Sequence, residues 1–109
     1  MKLCINENEN STMWNGIYKD RAFVITYEGR DSYALYVDVT NTSFAGTIYD
    51  KIDIACHGES PYREGVVIDG EYHQCISWCF GFDGRQYKLI DVINECISII
   101  DQINAKEAK

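Results

Sequence analysis

Proline is almost missing from this chain, Pro61 being the only one in 109 residues, and the 8 glycines follow no period. That scarcity excludes collagen-like and Pro-rich disordered classes. Nowhere does an apolar run approach the ~20 residues that a bilayer-spanning helix requires, so no membrane span is expected. The segment Met1–Asn10 is polar and acidic and has no apolar core of a signal peptide, which points to the cytoplasm. No two of the cysteines Cys4, Cys56, Cys75, Cys79 and Cys96 form a CxxC pair, and an odd set of five suits reduced, buried thiols better than a secreted disulfide framework. Cations are also short: 10 Lys and Arg stand against 17 Asp and Glu, a net charge of -7. Such a balance repels phosphate backbones and disfavours direct nucleic-acid binding, while a basic protein surface would be attracted.

What is present is enough for one core. A chain of 12.5 kDa with 46% hydrophobic residues is the size of a single domain, here 1–109. Leu3-Cys4-Ile5 reads as an edge strand leading into a polar loop, the two together spanning 1–12. Arg21–Tyr27 is β-branched and aromatic and ends at the turn-rich Glu28-Gly29-Arg30-Asp31, after which Tyr33, Leu35, Val37 and Val39 alternate with other residues as on a half-buried strand. These two segments predict a hairpin. Asn41–Gly46 reads as a turn, and the alternation of Ile52, Ile54 and Cys56 predicts a third strand. Glu59–Gly65 reads as a loop and Val66–Ile68 as a short strand, and Asp69-Gly70 is the best two-residue hairpin signal, turning the chain into a strand over Tyr72–Phe82.

On that last strand Ile76, Trp78, Phe80 and Phe82 share one face, expected to be core, and Cys75, Ser77 and Cys79 share the other. Leu89, Ile93, Cys96, Ile97, Ile100 and Ile103 recur at helical spacing and predict an amphipathic helix over 89–105. The expected fold class is therefore α+β, a small antiparallel sheet of about four to five strands packed on one C-terminal amphipathic helix.

Motifs that would dictate chemistry are scarce. His57, His73, Cys56, Cys75 and Cys79 are zinc-ligand types, but Cys75 and Cys79 would stand ~13 Å apart along a strand, so no metal is expected. Cys56 and His57 are neighbours and would point to opposite faces of a strand, which does not suit a thiolate–imidazole pair. Gly81-Phe82-Asp83-Gly84 lacks the spacing of a phosphate-binding loop and reads as a turn before the helix. No cofactor is expected, and no residue is assigned a catalytic role. The tyrosines and tryptophans exceed what one small core needs, and exposed ones make good recognition residues.

Three segments taken together resemble a family of small uncharacterised proteins common in bacteriophages and mobile elements. They are Asp53-Ile54-Ala55-Cys56-His57-Gly58-Glu59, Ser77-Trp78-Cys79-Phe80-Gly81-Phe82-Asp83, and Val92-Ile93-Asn94-Glu95-Cys96 closing on Asp101-Gln102-Ile103. In that family a strand ends in a His-Gly-Gly-like motif, a Trp-rich strand leads into Gly-Phe-Asp-Cys-Ala-His, and a terminal helix follows. Here Glu59 replaces the second glycine, and Gly84-Arg85-Gln86 stands where the family has Cys-Ala-His. The resemblance implies that His57, Trp78 and Asp83 gather near one end of the sheet. A phage setting implies an accessory protein in the host cytoplasm.

Charge and resemblance together lead to the expectation of a non-enzymatic, anti-CRISPR-like inhibitor that offers an acidic, tyrosine-rich surface to a bacterial immune-defence protein with a basic surface. A second reading is a sponge that sequesters a nucleotide signal, with aromatics such as Tyr62 stacking on the base and Arg63 or Arg85 pairing with phosphate at the interface of a homo-oligomer. A third is a cryptic enzyme with His57 and Asp83 as acid and base.

Overall fold

The computed structural model describes residues 3–40, 42–44, 53–58, 62–68 and 70–107, and of 62–68 the backbone alone. The elements follow in the order β1 (Leu3–Glu7), β2 (Met13–Tyr18), β3 (Arg21–Gly29), β4 (Ser32–Asp38), β5 (Tyr62–Ile68), β6 (Glu71–Phe80) and α1 (Leu89–Glu107). The six strands make one antiparallel sheet in the order β1-β2-β3-β4-β6-β5, and with the C-terminal helix they give the α+β fold expected.

The expected hairpin is β3–β4, closed by Gly29, Arg30 and Asp31, all at positive φ. At the expected β5–β6 turn Ile68 pairs with Glu71 and Gly70 has a φ of 83°, while Asp69 lies outside the described residues. The expected edge strand is β1, which among the described residues pairs with β2 alone. β2 itself is the strand that local sequence does not announce. Asn15 and Gly16 are weak strand formers, and what secures them is contact: Gly16 pairs with Phe23 of β3, whose ring lies over the bare glycine backbone.

Several boundaries differ from expectation. Residues 53–56 carry the predicted alternation, with Ile54 and Cys56 half-buried and Asp53 and Ala55 exposed, yet they join no strand. Their hydrogen bonds go to the helix: Ala55 donates its N–H to Gln102 Oε1 at 2.8 Å and accepts from Gln102 Nε2 at 2.7 Å. Ile52 lies outside the described residues, as do Asn41, Ala45 and Gly46 of the expected turn, whose Thr42 to Phe44 do turn. β5 begins at Tyr62, inside the segment expected to be loop, because its polar half pairs with Ser77 and Ile76 of β6. β6 ends at Phe80, so Phe82 lies beyond it and is 53% exposed instead of sharing the core face.

One face of the sheet buries Phe23, Ile25, Leu35, Val37, Ile76, Trp78 and Phe80 against the helix. From α1 the fully buried side chains are Val92, Cys96, Ile99, Ile100 and Ile103, while Leu89, Ile93 and Ile97 are only partly buried, so the apolar stripe is centred slightly differently from the expected one. Each complete burial of such an aliphatic side chain contributes about 1.5–3 kcal/mol before entropy is counted. Burial also pushes the Cys96 thiol far above its ordinary range, which leaves it inert. Lys88 caps the helix from just outside it: its N–H donates to Asp91 Oδ2 at 2.9 Å, half of a capping box.

The described parts of the connection from β4 to β5 are bonded to α1. Ser43 bonds Glu107 near the helix C-terminus, Ala55 bonds Gln102, and His57 bonds Glu95 two turns from the N-terminus. The Ser43 hydroxyl and N–H hold the Glu107 carboxyl below the usual carboxylate range.

Candidate functional site

Two places gather chemically active side chains. The first is the corner where the 53–58 segment, the 81–88 loop and the start of α1 meet. Glu95 Oε1 accepts from the His57 backbone N–H at 2.6 Å and lies 2.9 Å from Nδ1 of the same residue. The His57 ring itself remains 80% exposed. Gly58 follows because a side chain there would run into the Phe80 ring, at 2.8 Å from its nearest carbon. Arg85 donates from Nε to Asp83 Oδ2 at 2.8 Å and from a terminal nitrogen to the His57 carbonyl at 3.0 Å. The Tyr87 hydroxyl donates to that carbonyl at 3.3 Å, and its ring meets Phe80 edge-on at 5.4 Å.

These contacts set the local acidities. The Arg85 N–H and guanidinium hold the Asp83 carboxyl below its usual range, while desolvation pushes the Tyr87 hydroxyl and the Cys56 thiol up. A shallow cavity of about 290 Å³ opens beside them, lined by His57, Arg85, Gln86, Tyr87, Asp91, Asn94 and Glu95. Chemically the corner is a clasp: Arg85 and Tyr87 hold the His57 carbonyl, and Glu95 holds its amide.

Of the residues singled out by sequence, His57, Asp83 and Arg85 therefore do come together, with Arg85 as the link. Trp78 does not join them at the surface. It is fully buried in the core on β6, and its indole N–H has no hydrogen-bond partner among the described residues. Tyr62 and Arg63 open β5, opposite Ser77 and Ile76, and their side chains lie outside the described residues. The His57 ring meets Glu95, not Asp83, so the acid–base pair of the enzyme reading is not in contact.

The second place lies on the sheet face turned away from α1. His73 Nδ1 and Asp38 Oδ2 are 2.9 Å apart across β6 and β4, and Asp38 Oδ1 accepts from the Thr40 N–H at 2.9 Å. Glu71 Oε2 stands 3.8 Å from His73 Nε2. Beside them is a cavity of about 370 Å³ lined by Cys4, Asn6, Asn15, Gly16, Ile17, Ala22, Glu71 and His73. β1 and β6 are four strands apart, ~19 Å on a flat sheet, so a cavity shared by both means that the sheet curls into a trough on this side. Sequence marks His73 as a ligand type, but its pairing with Asp38 follows from strand register. Among the described residues no three His, Cys, Asp or Glu side chains are grouped to hold a metal ion, and no helix is long and apolar enough to cross a membrane. Comparison with protein-family models, with curated proteins and with solved structures finds no match.

Proposed function

We propose that this protein acts by binding, without catalysis, a protein partner that presents a basic surface, and that the partner is a bacterial immune-defence protein such as a CRISPR effector with a basic nucleic-acid cleft. The observation that carries the reading is the composition of one end of the sheet. There β1 ends, β2 begins, β3 turns into β4 and β6 runs out, and the Tyr87 N–H donates to the Asp31 carbonyl, bringing the start of α1 to the same end. Exposed carboxylates at this end are Glu7, Glu9, Glu28, Asp31, Asp83 and Asp91, against Arg30, Arg85 and Lys88. Between them stand exposed apolar side chains: Met13 at 43%, Tyr27 at 36%, Phe82 at 53% and Ile90 at 57%.

Apolar anchors within a net negative surface are what a specific interface with a basic partner uses, the anchors for affinity and the charge for steering and orientation. The partner class comes from the net charge of -7 together with the phage resemblance. The nucleotide-sponge reading is less well supported, because Arg85 is already held by Asp83 and the His57 carbonyl.

The test uses a panel of purified defence effectors and measures how far the protein suppresses their binding to target nucleic acid. Against its partner, wild type should suppress binding, and the Glu7→Gln/Glu28→Gln/Asp31→Asn variant should need at least about tenfold more protein, as should wild type in raised salt. Suppression indifferent to both changes would contradict the proposal, and so would the absence of suppression across the panel.

A further inference from the structure

The trough on the helix-free face holds a second site, whose His73 and Glu71 lie at the end of the sheet away from the acidic one. Asp38 Oδ1 accepts from the Thr40 N–H and Oδ2 lies 2.9 Å from His73 Nδ1, which donates to it when the carboxylate is ionised. In the neutral ring Nε2 is then a lone pair, and what faces it at 3.8 Å is a second acceptor, Glu71 Oε2. A single donor placed to one side of this pair reaches both acceptors at ordinary hydrogen-bond distance. Asn6 and Asn15 add carboxamide oxygens from β1 and β2, and Ile17 and Ala22 supply apolar surface. Among the described residues no lysine or arginine lines the cavity, which disfavours a phosphate or carboxylate ligand on electrostatic grounds.

We propose that this cavity binds a small aliphatic amine of the polyamine class. One ammonium group bridges His73 Nε2 and Glu71, a second meets the Asn6 and Asn15 carboxamides, and the methylene chain lies on Ile17 and Ala22. The volume of about 370 Å³ suits such a ligand. A metal ion is the poorer occupant, since no three ligating side chains are grouped among the described residues.

The experiment is calorimetric titration of the whole chain with spermidine at low ionic strength. It is repeated with Glu71→Gln, with His73→Phe, and with Glu28→Gln/Asp31→Asn as a control that removes charge at the far end. Glu71 has a side chain 81% exposed, so its variant keeps the fold, which an unchanged thermal midpoint verifies. The expected result is saturable binding of one spermidine per chain, weakened at least about tenfold by Glu71→Gln and by His73→Phe and unchanged in the control. Absence of saturable binding would overturn the proposal. So would equal weakening in Glu71→Gln and the control, because that marks diffuse attraction of a cation to an acidic protein.

Discussion

Single residues decide where this sheet closes. Gly16 is the clearest case: a β-carbon there would collide with the Cys4 carbonyl and lie 2.5 Å from Phe23 Cζ. Neither neighbour yields easily, since one is backbone of the adjacent strand and the other is a fully buried ring. Gly16→Ala is therefore expected to cost about 1–3 kcal/mol and to lower Tm by roughly 5–15 °C, measured by thermal denaturation followed by circular dichroism. An unchanged midpoint would mean that β1 and β2 are not packed as described. Gly58 acts in the same way beside Phe80, and it explains the glycine after His57 without appeal to chemistry: the chain must pass against an aromatic ring to reach the clasp.

At the scale of elements, α1 both covers the core and fastens the long connection through Glu95, Gln102 and Glu107. Gln102→Ala removes both bonds to Ala55, which lie at the surface where water partly replaces them, so the expected loss of stability is about 0.5–1.5 kcal/mol. The specific consequence is local. Hydrogen exchange should quicken at Ala55 and its neighbours while the β3, β4 and β6 amides keep their protection; uniform quickening would show that the connection is not a separate unit. This connection also marks the limit of sequence reading. Alternation in Ile54 and Cys56 reports the alternating burial but not the expected strand, because period two does not specify pairing, and here the partner is a glutamine side chain. The β3–β4 hairpin is legible because β-branched residues and turn chemistry agree there. β2 is not, because Gly16 is secured by Phe23 from another strand. The His73–Asp38 pair is hidden for a related reason: 35 residues separate them, and only the β4–β6 register makes them neighbours.

Across the whole molecule, the sheet presents two different ends. One carries carboxylates and exposed apolar side chains in loops and turns, and the other contributes His73 and Glu71 to the trough. The central claim is that the first end is the docking surface. Hydrogen–deuterium exchange of the protein alone and in complex with any defence effector whose nucleic-acid binding it suppresses in the panel tests this most directly. Protection on binding is expected in residues 7–13, 27–31 and 81–91, with the 71–75 stretch and the exposed side of α1 unaltered. Protection confined to 71–75 or to the middle of α1, with the turn at 28–31 exchanging as fast as in the free protein, would contradict it.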